Sequence, residues 1–156
     1  MSQVIRRIVP VSQPRGSKRC WAAVTAMILG RSGDGIVGQI MAEARAAGVP
    51  IQANESLMPE DIATLARAFH LNSVATGGDV LSGQDVVDRL TIGACGLFGQ
   101  ETAGKHAVAC HGMVGEDFAS SSTSTILGVD PRGFTAINMT FWDFQNQFTI
   151  SHIMYR

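Results

Sequence analysis

Residues 20–29 read CWAAVTAMIL, ten positions apolar nearly all round, stopped by Gly30 and by Ser32-Gly33. A helix apolar on every side is a buried central helix, around which other elements pack. The apolar run Trp21–Leu29, broken only by Thr25, is well short of the roughly 20 residues that cross a bilayer, so a membrane-spanning reading fails. Two further helices are expected downstream. Residues 36–46 (IVGQIMAEARA) end at Ala47-Gly48-Val49-Pro50, and Pro59-Glu60-Asp61 opens IATLARAFH, with proline and acidic residues where a helix N-terminus favours them. Asp85–Leu90 is a weaker fourth.

Beyond residue 90 the texture changes to short β-rich runs. Strands are expected at Ala94–Phe98, His106–Val114, Thr123–Val129, Phe134–Met139 and Thr149–Tyr155, with the polar run Ser120–Ser124 as a hairpin connection. The aromatic stretch 141–148 (FWDFQNQF) reads as one or two helical turns whose rings pack in the core. A helical half followed by an antiparallel β half is an α+β domain, with a cleft where the halves meet. At 156 residues the chain has room for one domain, spanning 1–156.

Charged residues make up only 16% of the chain, against about 25% in an average soluble domain. Long disorder is thereby excluded. Twelve Lys and Arg against 13 Asp and Glu leave a net charge of -1, which gives no electrostatic steering toward nucleic acid or an anionic membrane. The N-terminus carries Arg6, Arg7, Arg15, Lys18 and Arg19 without the apolar core of a secretory signal, so synthesis and folding in a cytoplasm are expected. Cys20, Cys95 and Cys110 are an odd set with no C-x-x-C spacing, which fits neither a disulfide scaffold nor a zinc site.

One cysteine stands apart. Cys20 opens the central helix directly after the basic, glycine-containing segment 14–19, where the positive end of the helix dipole favours the thiolate that acts as a nucleophile. A thiol nucleophile needs a base within hydrogen-bond reach, and the base needs an acceptor on its other nitrogen. Of His70, His106, His111 and His152, His106 is preferred because it opens a strand beside Gly104, at the rim where a cleft would lie. His111 lies five residues on, and an odd offset along a strand points it to the other face. His70 ends a helix and His152 sits in the last strand with no acidic neighbour. Asp130 ends the apolar run 126–129 before Pro131-Arg132-Gly133, so a hairpin places it beside the His106 strand. Gln13, seven positions before Cys20, offers an amide that, with the Cys20 backbone N–H, would bind an oxyanion. Each residue also has an ordinary reading: Cys20 as a small apolar residue, His106 as a strand-end histidine, Asp130 as a turn aspartate before proline, and Gln13 as a polar loop residue. Cys95 and Cys110 fall to strand packing.

Gln13, then CWAAVTAMI from Cys20, GKHAVACHG from Gly104, GVDPRG from Gly128, the aromatic turn FWDF and a closing strand together resemble a papain-like cysteine protease. The resemblance is to the compact bacterial branch, similar to the bacteriocin-processing peptidases and to the papain-like effector proteases injected into other cells. It covers roughly Gln13 to Tyr155. It implies a papain-like α+β fold with the nucleophile at the start of the central helix. It also implies Cys20 as nucleophile, His106 as general base and acid, Asp130 as the residue orienting the imidazole, and Gln13 as oxyanion donor. The spacing from Gln13 to Cys20 is one residue longer than the family commonly shows, and Lys105 immediately precedes His106.

The implied activity is hydrolysis of peptide bonds through a Cys-His-Asp triad, with no metal or organic cofactor and with a protein or peptide as substrate. The resemblance further implies a bacterial toxin or effector, delivered into a target cell by a secretion machine without a cleaved signal peptide and held in check by a cognate immunity protein. Two other functions compete. A peptidoglycan amidase or endopeptidase of the NlpC type would use the same Cys-His chemistry on cell wall. A non-catalytic papain-like binding module would have no chemical need for Cys20, His106 and Asp130 together.

Overall fold

In a computed structural model that describes residues 1–156, the apolar run forms α1 (Cys20–Leu29), in which Trp21 to Ile28 are all buried. The one polar member, Thr25, donates its hydroxyl to the Trp21 carbonyl at 2.7 Å, which removes the cost of burying it unpaired. Gly30 closes the helix in the left-handed conformation (φ 70°), its N–H directed at the Ala26 and Met27 carbonyls, where a side chain would be strained. Each buried Val, Ile or Met of α1 contributes on the order of 1.5–3 kcal/mol.

Around α1 lie α2 (Ile36–Ala46) and a 3-10 turn (Pro59–Asp61) that runs into α3 (Ile62–Ala68). The second half supplies α4 (Gly83–Val87), β3 (Cys95–Glu101), β4 (Gly104–Gly115), β5 (Ser124–Asp130), β6 (Thr135–Thr140), α5 (Phe141–Gln147) and β7 (Thr149–Tyr155). Two more strands, β1 (Ser2–Ile5) and β2 (Asn72–Ala75), join the sheet from the first half of the chain. The order is β2-β7-β3-β4-β5-β6, with β1 paired to the far end of β4. Every pairing is antiparallel.

The first half is therefore not purely helical as expected. β1 and β2 are four residues each, with three exposed in β1 and two in β2, too short to carry a period-two pattern, and both are fixed by distant partners such as Ser2↔Gly115 and Asn72↔Tyr155. The short helix α4 begins at Gly83 instead of Asp85, because Ser82 and Asp85 form a reciprocal capping box.

The sheet separates two apolar clusters. Ala107 and Ala109 join α1, α2 and α3 on one side, whereas Val108 and Cys110 join Phe141, Phe144 and Phe148 on the other, as strand alternation requires. The rings of Phe144 and Phe148 stack at 5.1 Å between centroids, so the phenylalanines of the aromatic turn are core packing, whereas Trp142, expected to join them, is 49% exposed. Cys95 and Cys110 are directly paired between β3 and β4 and fully buried, also as packing residues. Gly96 explains how close α1 comes to the sheet. A Cβ there would lie 2.7 Å from Val24 Cγ1 and 3.0 Å from Ile28 Cδ1, so glycine lets α1 rest flush on β3.

Candidate active site

Four segments converge at the end of α1. The loop before it brings Gln13, the helix start brings Cys20, the near end of β4 brings His106, and the last residue of β5 brings Asp130. Strand register explains the last two. Ala109 pairs with Val129, so continuing the antiparallel register sets Asp130 across from Val108 and makes His106 its diagonal neighbour, within reach of long side chains. His106 Nε2 lies 2.8 Å from Asp130 Oδ1, which leaves Nδ1 for the thiol side.

His106 is only 6% exposed, and its ring packs edge-on against Phe148 with centroids 6.5 Å apart. Burial opposes charge on such a ring, yet the hydrogen bond to Asp130 and the adjacent Cys20 sulfur outweigh it and raise the His106 pKa to about 9. Burial likewise opposes the Asp130 carboxylate, but hydrogen bonds from His106 and Arg132 prevail and lower its pKa to about 2. The pair is thus set to exist as imidazolium and carboxylate near neutrality, with the Cys20 sulfur beside the imidazolium.

A cleft of about 310 Å³ opens over Cys20 and His106. Its walls include Cys20, Trp21 and Gln13 from the helical side and Phe98, His106 and Ala107 from the sheet. Cys20 itself is partly exposed. Gln13 is buried, and its Nε2 donates to the Ser17 carbonyl at 2.7 Å while its Oε1 has no partner. A primary amide carries two N–H bonds, so one donor remains beyond the Ser17 contact. The Gln13 loop is stapled to the turn after Asp130, since the Gln13 N–H donates to the Pro131 carbonyl at 3.0 Å.

The other histidines lie outside the cleft lining. His70 is exposed at the end of α3 with φ 58°. His152 sits in β7, where burial lowers its pKa. The position of His111 is not a plain alternation of strand faces. The β4–β5 register shifts between Cys110 and Gly112, which makes His111 the extra residue of a bulge.

Three features were not foreseen from sequence. Arg132 donates its backbone N–H to Asp130 Oδ1 at 2.9 Å and its Nη2 to Oδ2 at 3.2 Å. Glu101, the last residue of β3, holds the same guanidinium at 2.6 Å. The Trp21 indole donates to the Glu55 carbonyl at 2.8 Å and Arg19 pairs with the Glu55 carboxylate at 2.6 Å, tying the residue 52–56 turn to the start of α1. No sequence spacing announces these contacts, because each joins segments at least 30 residues apart or depends on which way a turn faces.

Chemically, a thiol beside a buried histidine whose other nitrogen is held by a carboxylate is the arrangement for nucleophilic acyl transfer. No group of three or more His, Cys, Asp and Glu side chains is arranged to hold a metal ion, and no helix is long and apolar enough to cross a membrane.

Among solved structures, the peptidase domain of Streptococcus ComA, a bifunctional ABC transporter involved in a quorum-sensing pathway, superposes with a TM-score of 0.60 at 13% identity, covering 96% of each chain. The Streptococcus mutans ComA peptidase domain in complex with a small-molecule inhibitor gives 0.55 at 12% identity, covering 95% of this chain and 99% of that one. At such identities the likeness shows the fold, which is that of the ComA peptidase domains. No curated protein matches the sequence. Residues 3–149 match the model of the family described as papain-like cysteine protease AvrRpt2, and with nearly its whole length covered the chain belongs to that family and is a papain-like cysteine protease.

Proposed function

We propose that the chain, acting as one peptidase domain over residues 1–156, hydrolyses peptide bonds through Cys20, His106 and Asp130. The observation that carries this reading is the hydrogen bond from His106 Nε2 to Asp130 Oδ1 at 2.8 Å, in a ring that shares its cleft with Cys20. The Cys20 thiolate attacks the scissile carbonyl, and the oxyanion is met by the Cys20 backbone N–H and the Gln13 amide. His106 gives its proton to the leaving amine, which departs and leaves a thioester on Cys20. His106, now neutral, takes a proton from water as that water attacks the thioester, which releases the acid and restores the thiolate-imidazolium pair. Asp130 holds the ring in the orientation both steps require.

A protein or peptide is the substrate. The role of toxin or effector, acting on a protein of a target cell and restrained by an immunity protein, is supported by the motif resemblance to injected papain-like proteases. Limiting iodoacetamide tests the chemistry. It is expected to modify Cys20 ahead of the buried Cys95 and Cys110 and to abolish cleavage in proportion. Cleavage that survives complete Cys20 modification contradicts the mechanism. For the effector role, expression of wild-type and Cys20→Ala chains inside candidate target cells should give toxicity and new protein termini with the wild type alone.

A further inference from the structure

We infer that Arg132, tethered by Glu101, is a positioning residue of the protease, an inference that rests on the Cys20, His106 and Asp130 reading above. Both Asp130 oxygens are occupied. Oδ1 accepts from His106 Nε2 at 2.8 Å and from the Arg132 backbone N–H at 2.9 Å, and Oδ2 accepts from Arg132 Nη2 at 3.2 Å. The carboxylate therefore cannot turn about its last bond without breaking a contact at each end.

The guanidinium of Arg132 is itself held in place. Nη1 meets Glu101 Oε1 at 2.6 Å and Nη2 meets Oε2 at 3.0 Å, a two-point contact that favours one plane of the guanidinium. Glu101 pairs with Gly104 across the β3–β4 turn, two residues before His106 in β4. The chain Glu101, Arg132, Asp130 thus links the hairpin that carries the base to the turn that carries its orienting carboxylate. Asp130 keeps 18% of its side chain exposed and Arg132 46%, so water would compete for Oδ2 once the guanidinium is gone.

The test compares Arg132→Ala, Arg132→Lys, Glu101→Ala and Asp130→Ala on a peptide spanning a cleavage site mapped with the wild-type chain. Arg132→Ala should lower kcat about ten-fold with KM within two-fold, since small losses of alignment act on the chemical step. The NMR resonance of the proton shared by His106 and Asp130 should broaden or move. Arg132→Lys should recover part of kcat, because an ammonium can reach Asp130 but lacks the planar fork. Glu101→Ala should give the same change as Arg132→Ala in smaller measure, and it serves in place of Arg132→Ala if that variant does not fold. A kcat within two-fold of wild type, a loss confined to KM, or an unmoved resonance overturns the inference. With Asp130→Ala inactive, that result leaves the triad standing. An active Asp130→Ala chain overturns the triad and this inference with it.

Discussion

Replacing Asp130 by Asn removes one charge from the site while leaving a side chain of the same shape. In the wild-type fold the His106 pKa stands at about 9, against about 6.5 for a free histidine, so the site favours the imidazolium by roughly 3 kcal/mol net of burial. Asp130 and Cys20 share that effect, with the Asp130 hydrogen bond the foremost of the raising influences. Burial, the largest single influence, opposes what these two partners supply, so the net figure understates their part, and neutralising Asp130 should bring the ring midpoint down by at least about one pH unit, on the order of 1–2 kcal/mol. At pH 9 the protonated fraction then falls from about one half to about one tenth, and the alkaline limb of the rate profile moves down by the same interval. NMR titration of the histidine rings gives the midpoint directly, and a pH series of kcat/KM gives the limb. An alkaline limb and a ring midpoint that both stay near 9 in Asp130→Asn would refute the coupling.

Three further outcomes follow from the fold. His106→Ala should abolish peptidase activity and His111→Ala should leave it largely intact, since only His106 lines the cleft; the reverse result in a cleavage assay means the wrong histidine was chosen. Stability should depend on pH through the same pair. The raised pKa of His106 makes its contribution complete below about pH 6.5 and lost as pH rises through about 9, while the lowered pKa of Asp130 makes its contribution complete above about pH 4 and lost toward pH 2. Thermal unfolding should therefore show a plateau between those limits, and a Tm that climbs above pH 9 contradicts it. Gly96→Val should cost about 1–3 kcal/mol, measured by urea unfolding, because its side chain meets Val24 and Ile28 and pushes α1 off the sheet. An unchanged midpoint would show that α1 is not seated as described.

What could be read in advance was what neighbouring residues dictate. The all-round apolar run from Cys20 pointed to a central helix, and the short β-rich run from His106 onward pointed to a strand, so the helix start and the strand end that carry Cys20 and His106 were legible by position. Asp130 was legible because a strand end before proline has few places to go. β1 and β2 were not, since SQVI and NSVA gain their hydrogen bonds from strands more than 70 residues away. Nor was the clamp on Asp130. Arg132 and Glu101 meet only because two turns face each other, and turn orientation is a product of the assembled sheet. Gly96 carried a usable signal, for a glycine inside a strand marks a close backbone approach, but the helix it admits was not nameable from the strand alone.

The measurement that bears most directly on the peptidase is a survey of new peptide termini after the purified chain is incubated with a whole-cell proteome, run in parallel with Cys20→Ala. Cys20 is partly exposed at the start of α1, so the substitution removes the sulfur without disturbing the packed residues beneath it. A defined set of new termini should appear with the wild-type chain and be absent with Cys20→Ala, whose circular dichroism and Tm stay close to wild type. The same termini produced by a folded Cys20→Ala chain would contradict the assignment of Cys20 as nucleophile.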